Sequence, residues 1–507
     1  MAAFGVHFGT CSACLAVYKD GKADVVANDL GDRVTPCVVA FTDHDQSVGA
    51  AAKQGIIRNA ANTISNVKQI LGRKMEDPVV ENFSAKSTAK VVEKNGIPQF
   101  EVNHKGKTSQ YSASQVAEII YRKMLETAQS HGGSGIQDAV LTVPFGFGPE
   151  HKNTFSEAAT KAGFNILRLI NEASAAALAY DLGQMDHSES SYALVYRLGG
   201  TSSDATVLKI ENGMYRVCSS TADTQFGGNQ FTEVLLKYLA TEFKRQYKAD
   251  VTENKRSVTK LRFAAETCKH ALSTLGNAKC AVDSLYDGMD FHHGVSRARF
   301  ESLCTSLLQQ GSGLIEKCLA EAGLNKTDIS KVILCGGGAK VPIVQKSVAD
   351  TVKGAEILTS ISPDEVIAMG AAKEAAFLVG KEIEDLKDHE EHTQARCLSS
   401  CVCVKVSDDP ETDNLITALP KLSLIPSRKQ HTFTLADAQD NFSMEVYEAS
   451  DPPTLQNSSL LARIVMRDLP TPSSIQANFH LRREGTLHVT CQELTSNREE
   501  SVTIGIS

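Results

Sequence analysis

Two apolar segments of this chain end in glycine-containing turns of a kind that could bind phosphate. The first turn is Gly9-Thr10-Cys11, and the second, far along the chain, is Gly199-Gly200-Thr201. At the end of a strand, such turns present backbone N–H groups to an anion. We therefore expect two parts of the fold to hold one polyphosphate between them.

The residues just before these turns are unusual for a site that transfers phosphate. Such a site normally holds carboxylates there, because the metal ion on the phosphates needs oxygen ligands. Here the positions carry His7 and Arg197. The sequence therefore predicts a site that binds a nucleotide but cleaves it poorly, with no metal ligand and no confidently retained catalytic residue.

A third glycine run follows an apolar segment at residues 331–335. Gly336-Gly337-Gly338 leads toward Pro342, which begins a predicted helix. Glycine lets a backbone approach a ligand closely, and a helix N-terminus adds partial positive charge. A tight strand-to-helix turn without a ligand explains this run equally well by itself. The two other glycine turns favour the ligand interpretation.

Several charged residues near these segments have two readings. Glu172 starts an alanine-rich helix after a predicted strand, where it faces the cleft of an α/β protein or complements the helix dipole. Lys68 lies in a predicted helix over 62–73, where a solvated surface lysine is the plain interpretation. Glu266, Lys269 and Ser273 lie on one side of an ordinary amphipathic helix.

The elements that must position these residues form an α/β pattern over the first 375 or so residues. Strands are predicted at 38–42, 138–144, 192–198 and 331–337, and helices at 62–73, 112–130, 148–163, 228–248 and over most of 253–323. We expect a nucleotide-binding domain at 1–380. A charged linker follows at 381–397. Segments of period-two alternation then predict an all-β domain at 398–507.

Composition is that of a soluble globular protein. The chain has 507 residues, 42% of them hydrophobic, and a formal net charge of −8, which argues against direct nucleic-acid binding. We expect no membrane segment, no secretion signal and a cytosolic location. The thirteen cysteines follow no disulfide framework, so buried, reduced thiols are expected. Cys11 and Cys14 form a lone C-x-x-C, for which a metal or redox role is the minor alternative.

In order along the chain, these segments resemble the seventy-kilodalton, DnaK-type heat-shock chaperone family. The similarity is carried by "ANDLGDRVTPCVVAFT", "NVKQILGRK", "NEASAAALAY", "VILCGGGAKVP" and "SPDEVIAMGAA". It implies an actin-like nucleotide-binding domain whose lobes are residues 1–185 with 360–380, and 186–359. It also implies a peptide-binding β-sandwich after that domain. The helical lid usual in the family is expected to be missing.

The resemblance also implies roles for individual residues. Lys68 matches the lysine that positions the attacking water, Glu172 a cleft carboxylate, and Asp204 the aspartate that closes the second turn. Two departures stand out, since His7 and Arg197 each replace a metal-organising aspartate. The implied nucleotide contacts are Gly9, Thr10, Cys11, Lys68, Arg197, Gly199, Gly200, Thr201, Glu266, Lys269, Ser273, Gly336, Gly337, Gly338, Lys340 and Asp364.

Two further departures affect the adenosine pocket, where the family has arginines at the positions of His270 and Lys340. Arg197 itself could contact phosphate and supply the charge of the absent metal. The expected cofactor is therefore ATP, with magnesium doubtful. The interdomain segment has only Leu398 where the family has a leucine-rich run, so weakened coupling between the domains is expected.

These departures resemble the ribosome-associated, Ssz-like branch of the family. That branch implies a non-hydrolysing co-chaperone in a stable heterodimer with a zuotin-type J-domain protein. The complex assists nascent polypeptides on cytosolic ribosomes, and contact with the ribosome is expected to be indirect. An active, ATP-driven peptide chaperone is the alternative, favoured by Lys68, Glu172 and Asp204. A different actin-like enzyme, such as a sugar kinase, is a third and remote reading.

Overall fold

The structure is a computed structural model that divides into two compact units. Unit 1 is Met1–Lys381 and unit 2 is Glu382–Ser507. The structure describes residues 3–505, except 20–21, 134, 136, 184–190, 212–213, 380–395, 407–414, 422, 426, 436–439, 451–452, 472 and 483–484. The predicted linker at 381–397 therefore lies almost wholly outside the described residues.

The first half of unit 1, residues 3–183, contains twelve strands and five α-helices. They are β1 (Phe4–Phe8), β2 (Ser12–Lys19), β3 (Lys22–Val25), β4 (Thr35–Pro36), β5 (Val38–Phe41), β6 (Gln46–Val48), α1 (Ala50–Gly55), β7 (Thr63–Ser65), α2 (Pro78–Lys86), β8 (Lys90–Lys94), β9 (Ile97–His104), β10 (Lys107–Ser112), α3 (Ala113–Gly132), β11 (Asp138–Val143), α4 (Pro149–Ala162), β12 (Asn165–Asn171) and α5 (Glu172–Ala179). Short 3₁₀ helices lie at Ala60–Asn62 and Val67–Gln69.

The second half, residues 191–358, contains seven strands and five α-helices. They are β13 (Ser191–Leu198), β14 (Ser203–Glu211), β15 (Met214–Asp223), α6 (Gly228–Tyr247), α7 (Lys255–Thr274), β16 (Asn277–Tyr286), β17 (Met289–Ser296), α8 (Arg297–Leu303), α9 (Thr305–Glu321), β18 (Ile329–Cys335), α10 (Pro342–Thr351) and β19 (Glu356–Leu358). The chain then returns toward the first half through α11 (Val366–Val379).

The main sheets of the two halves have the same topology. The first sheet has the order β12-β11-β1-β2-β3, and the second has β19-β18-β13-β14-β15. In each, the first strand runs antiparallel to the next strand in sequence and parallel to a later one. Each half also has its own apolar core. The two candidate phosphate turns therefore occupy equivalent places, between β1 and β2 and between β13 and β14.

Helices α5 and α11 cross between the halves. α5 leaves the first sheet, and its alanines share a core with Ala193 and Val195 of the second. α11 leaves the second sheet and packs Ala368 and Ala372 on β2 of the first. Gly370 lies so close to α5 that an added Cβ would overlap the carbonyl of Ala175. The alanine-rich sequence of α5 is thus explained by close helix packing.

The described part of unit 2 consists of strands and one short 3₁₀ helix at Leu455–Asn457. The strands are β20 (Arg396–Cys397), β21 (Cys401–Val406), β22 (Ile416–Leu419), β23 (Leu424–Ile425), β24 (Ser427–Thr434), β25 (Phe442–Ala449), β26 (Ser458–Met466), β27 (Ser474–Leu481), β28 (Thr486–Glu493) and β29 (Glu499–Gly505). Two antiparallel four-stranded sheets, β22-β21-β25-β26 and β24-β27-β28-β29, bury alternating apolar residues in one shared core. The all-β prediction for this region agrees with these strands.

One helix prediction is wrong. Residues 62–73 form β7 and a 3₁₀ turn, because Asn66 has a left-handed φ of 57° that interrupts any helix and Thr63–Ser65 pairs with β5. The prediction that most of 253–323 is helical is confirmed by α7, α8 and α9, and the β16–β17 hairpin separates α7 from α8. The turn of that hairpin, Asp287-Gly288, has φ angles of 46° and 77°, which only a D-G type of pair adopts readily.

The cysteines behave as expected in the described residues. All twelve thiols that the structure describes are free, and ten of them are buried. Cys11 and Cys14 have different partners, the Asn66 side chain and the Arg33 carbonyl, so they do not act as a pair. None of the described helices has the length and apolar character needed to cross a lipid bilayer.

Candidate functional site

The two glycine turns are built alike. The N–H of Gly9 donates to the Ser12 carbonyl at 3.0 Å, and the N–H of Gly199 donates to the Ser202 carbonyl at 2.9 Å. A Cβ on Gly9 would lie 2.5 Å from the Ser12 oxygen, so only glycine allows that turn. Among hydrogen bonds within the described residues, none uses the next backbone N–H groups, those of Thr10 and Cys11 and of Gly200 and Thr201, as donors. These four groups remain available to an anion.

The two turns meet at Cys11 and Gly200. The Cys11 thiol packs so closely on Gly200 that a side chain there would overlap it. Helix α6 begins against the second turn, because the N–H groups of Gly228 and Asn229 donate to the carbonyls of Gly199 and Gly200, each at 2.8 Å. Thr10 and Thr201 are half-buried beside this junction.

A buried cluster of four charged side chains lies behind the turns. Lys68 Nζ contacts Glu172 Oε1 at 3.0 Å and donates to the Phe8 carbonyl at 2.7 Å. Arg197 Nε lies 3.1 Å from Glu172 Oε2, an ion pair whose N–H is not aligned for a hydrogen bond. The other side of the Arg197 guanidinium forms an ion pair with Asp204. The arginine thus lies between two carboxylates.

The charges of this cluster cancel. Burial alone would raise the pKa of Glu172, but Lys68 and Arg197 outweigh it and lower the pKa to about 2. Burial also disfavours the charged form of Arg197, yet Asp204 and Glu172 hold its pKa above the usual range. Burial raises the pKa of Asp204, and Arg197 opposes that shift. With all four ionised, two positive charges face two negative ones.

His7 completes the cluster as a neutral group. Its Nδ1 lies 2.9 Å from the Thr142 hydroxyl and 3.9 Å from Glu172 Oε1. Burial lowers the pKa of His7 to about 4, with Lys68 and Arg197 adding to the effect and Glu172 opposing it. At neutral pH the imidazole is therefore uncharged, and its contact with Glu172 is not an ion pair.

The cluster does not fit a magnesium ion. Mg²⁺ needs oxygen ligands in octahedral geometry and is usually held by one or two free carboxylates. Here both carboxylates are already neutralised, Glu172 by Lys68 and Arg197, and Asp204 by Arg197. A divalent ion would have to displace the guanidinium from its partners. The Nε and one terminal nitrogen of the Arg197 guanidinium face Glu172 and Asp204. Its other terminal nitrogen lies beside the second turn, 2.9 Å from where a Cβ on Gly199 would stand. Contact between Arg197 and phosphate stays a prediction.

The three residues of α7 that were predicted to line an adenosine pocket have different surroundings. Glu266 pairs with Lys53 of α1 at 3.1 Å, across the mouth of the cleft. A cavity of about 190 Å³ beside this pair is lined by both residues and by His270. Lys269 is buried and donates to the Gly228 carbonyl at 3.1 Å and to the Thr232 hydroxyl at 2.8 Å. The Ser273 hydroxyl bonds back to its own helix at Lys269.

In the glycine run at 336–338, two glycines are tightly packed and one faces open space. Gly336 has a φ of 82°, and Gly336 and Gly338 pack against Leu198 so closely that a side chain on either would overlap it. Gly337 faces open space. Beyond the run, Lys340 contacts Asp364 at 3.1 Å. The run therefore serves first as a tight turn, and Gly337 is the member with room for a ligand.

Sequence reasoning missed four residues that contribute to the site. Lys53 gave no signal, because it lies in an unremarkable six-residue helix. Thr142 lies near the end of a predicted buried strand, where a polar residue close to the strand's carboxyl end could have marked it. The Lys68 ammonium makes cation–π contacts with the rings of Phe147 and Phe155, at 5.7 and 5.5 Å from their centroids. The spacing of these residues in the sequence does not predict that contact.

Comparison with known proteins places the chain in a family. The model of the family described as "Hsp70 protein" matches residues 3–507. Heat shock 70 kDa protein 14 of Danio rerio is 47% identical, with 99% of each chain covered. Heat shock 70 kDa protein 14-A of Xenopus laevis is 45% identical and the human heat shock 70 kDa protein 14 is 44% identical, both over the full length of each chain. The chain belongs to the Hsp70 family, whose members are nucleotide-binding chaperones.

Proposed function

We propose that this chain is an Hsp70-type co-chaperone that binds ATP and hydrolyses it little or not at all. The observation that carries the proposal is the position of Arg197 between Glu172 and Asp204. An arginine there forms ion pairs with the carboxylates, which would otherwise be free to bind a metal ion and an attacking water. Loss of one well-placed group of this kind costs on the order of 10²–10³ in rate.

Nucleotide binding is supported by a different set of residues. The free N–H groups of the two turns suit phosphate oxygens, and the cavity beside Glu266 and His270 offers room for part of a nucleoside. The equal strand order of the two halves supports an actin-like, two-lobed domain. The shared core of the two sheets in unit 2 supports a β-sandwich, the family's peptide-binding domain.

We further propose that the chain works in the Ssz-like branch of the family, in the cytosol. Its partner there is a zuotin-type J-domain protein in a stable heterodimer, and the complex assists nascent polypeptides at the ribosome. The support is the full-length similarity to the proteins named heat shock 70 kDa protein 14 together with the altered cleft. A net charge of −8 favours an indirect contact with ribosomal RNA through the partner.

Single-turnover hydrolysis tests the enzymatic part. The full chain is loaded with radiolabelled ATP, with and without a zuotin-type J-domain protein, beside an active Hsp70 chaperone as the control. We expect a rate at least about a hundredfold below the control, without stimulation by the J-domain protein. A stimulated rate near that of the control would instead establish an active, ATP-driven chaperone.

Co-elution tests the partner. The purified chain and the zuotin-type protein are mixed and separated by size-exclusion chromatography, again beside an active Hsp70. We expect one stable complex for this chain and separate peaks for the control. Separate peaks for both would contradict the heterodimer, whatever the outcome of the hydrolysis assay.

A further inference from the structure

Among the described residues of unit 1, three ion pairs join the two halves across the cleft. Arg197 of β13 reaches Glu172 at the start of α5, Lys53 of α1 reaches Glu266 of α7, and Lys340 reaches Asp364 just before α11. Each pair has one member in residues 3–183 or 360–379 and the other in residues 191–358. The halves are therefore held together by the protein's own side chains at the floor and at the rim of the cleft.

The pair at the floor differs from the two at the rim in burial. The side chains of Arg197 and Glu172 are 16% and 6% exposed, against 33% and 31% for Lys53 and Glu266 and 49% and 13% for Lys340 and Asp364. Exposed pairs contribute little because water screens them, whereas breaking a buried pair leaves an uncompensated charge. The pair of Arg197 and Glu172 is thus the contact between the halves that is most costly to break.

We propose that Arg197 is a built-in cation that substitutes for a divalent metal and links the two halves of unit 1 in the protein without ligand. This deepens the proposed function, since it names the cation that the site uses. It concerns the protein without nucleotide, however, and so does not depend on the rate of ATP turnover.

The charge balance of the cluster explains why the substitution works. Without the guanidinium, Glu172 and Asp204 would share only Lys68, and the cluster would carry one net negative charge among buried oxygens. Such a group is a binding site for a hard cation. The guanidinium supplies that charge from within the chain and also spans the two halves, because its Nε faces Glu172 and its terminal nitrogen faces Asp204.

The test measures Mn²⁺ binding by electron paramagnetic resonance in the full chain without nucleotide. Arg197→Gln removes the guanidinium charge and should create a Mn²⁺ site at least about tenfold tighter than any in the parent protein. Arg168→Gln is the matched control, because Arg168 forms a half-buried ion pair with Glu374 away from the cleft. The exposed group Asp283, Asp290 and His292 is present in every variant, so any Mn²⁺ that it binds cancels in the comparison.

Thermal unfolding gives the second readout. Mn²⁺ or Mg²⁺ should raise the midpoint of Arg197→Gln by at least about 2 °C and leave the parent and Arg168→Gln unchanged. Adding Asp204→Asn to Arg197→Gln should abolish the response. An Arg197→Gln variant that binds Mn²⁺ no more tightly than Arg168→Gln would overturn the proposal.

If Arg197→Gln does not fold, Mn²⁺ binding by the parent protein still tests the proposal. The proposal requires that the parent without nucleotide has no Mn²⁺ site that depends on Asp204. A Mn²⁺ site in the parent that is lost in Asp204→Asn would overturn the proposal, and its absence supports it. Hydrolysis of ATP by the parent would refute the proposed function and leave this result standing, so the two failures are distinguishable.

Discussion

Single residues decide what this cleft can do, and the sequence shows their types better than their partners. The replacement of acidic residues by His7 and Arg197 is legible without a structure. The partners of Arg197 are not, because a long side chain can reach several groups and local sequence does not show which of them is buried beside it. The sequence suggested only phosphate as a partner of Arg197, and the structure adds Glu172 and Asp204.

The neutral state of His7 predicts a pH effect on stability. Its pKa is about 4 in the folded protein and 6.5 when exposed, so below pH 6.5 the unfolded chain binds a proton that the folded chain does not. The stability that the neutral imidazole provides is therefore lost as the pH falls from 6.5 to about 4. Over that range, His7 should lower the free energy of unfolding of the parent by on the order of 2–3 kcal/mol. His7→Asn, whose side chain does not titrate, should lack this loss.

Urea unfolding of the parent and of His7→Asn at a series of pH values measures this difference. The remaining histidines are common to both proteins and cancel in the comparison. Equal pH dependence in the two proteins would mean that the imidazole is not buried in its neutral form.

At the scale of elements, strong patterns were predictable and weak or interrupted ones were not. The apolar strands β11, β13 and β18 and the helices α3, α4 and α6 agree with their sequence patterns within a few residues. The failures have a local cause in each case. At 62–73 the left-handed Asn66 ends the periodicity. In the β16–β17 hairpin the buried Ala278, Cys280 and Val282 alternate with period two, and this signal was available beside the Asp287-Gly288 pair.

Close packing of α5 against α11 requires a glycine at position 370. Gly370→Ala places a methyl group into the carbonyl of Ala175, so we expect it to lower the free energy of unfolding of unit 1 by about 3 kcal/mol or more. Gly313→Ala in α9 is the matched control. Its Cβ meets nothing within 4 Å, and replacing a helical glycine should stabilise the protein by about 0.5–1 kcal/mol.

Denaturant unfolding followed by circular dichroism compares the two glycine variants. A loss of stability in Gly370→Ala no larger than that in Gly313→Ala would contradict the close crossing of the helices.

The connection between β28 and β29 is organised by Glu493. This fully buried carboxylate accepts hydrogen bonds from the N–H of Thr495 at 2.9 Å and from the hydroxyls of Ser473 and Ser496 at 3.1 and 2.6 Å. Burial alone would raise its pKa, but the hydroxyl and N–H of Ser496 outweigh it and lower the pKa to about 2. The stability it provides is present above pH 4.5 and is lost as the pH falls from 4.5 toward 2.

Glu493→Gln should therefore lower the unfolding temperature of unit 2 at pH 7, and the difference from the parent should shrink below pH 4.5. Thermal unfolding at pH 7, 4.5 and 3 checks this. Glu500→Gln, an exposed position on β29, is the control and should behave as the parent does. A constant difference across this pH range would show that the carboxylate is not ionised in the fold.

At the scale of the whole molecule, unit 1 is a doubled α/β unit whose two turns face one cleft. The equal strand order of the two halves was not predicted, because the sequences of the halves differ and only the pairing of strands shows it. The duplication explains why residues as distant in the chain as Lys68, Glu172 and Asp204 meet. The same arrangement brings a lysine and an arginine to two carboxylates, and so leaves a cleft with phosphate-binding turns and no unpaired acid in its charged cluster.

Calorimetric titration of ATP in the presence of EDTA and in the presence of Mg²⁺ tests the central claim most directly. We predict that the full chain binds ATP with affinities equal within about threefold in the two conditions, because Arg197 already supplies the positive charge. The variant His7→Asp with Arg197→Asp, which restores both acids, should bind at least about tenfold more tightly when Mg²⁺ is present. No uptake of ATP by the parent, or a tenfold gain in its affinity from Mg²⁺, would contradict the account.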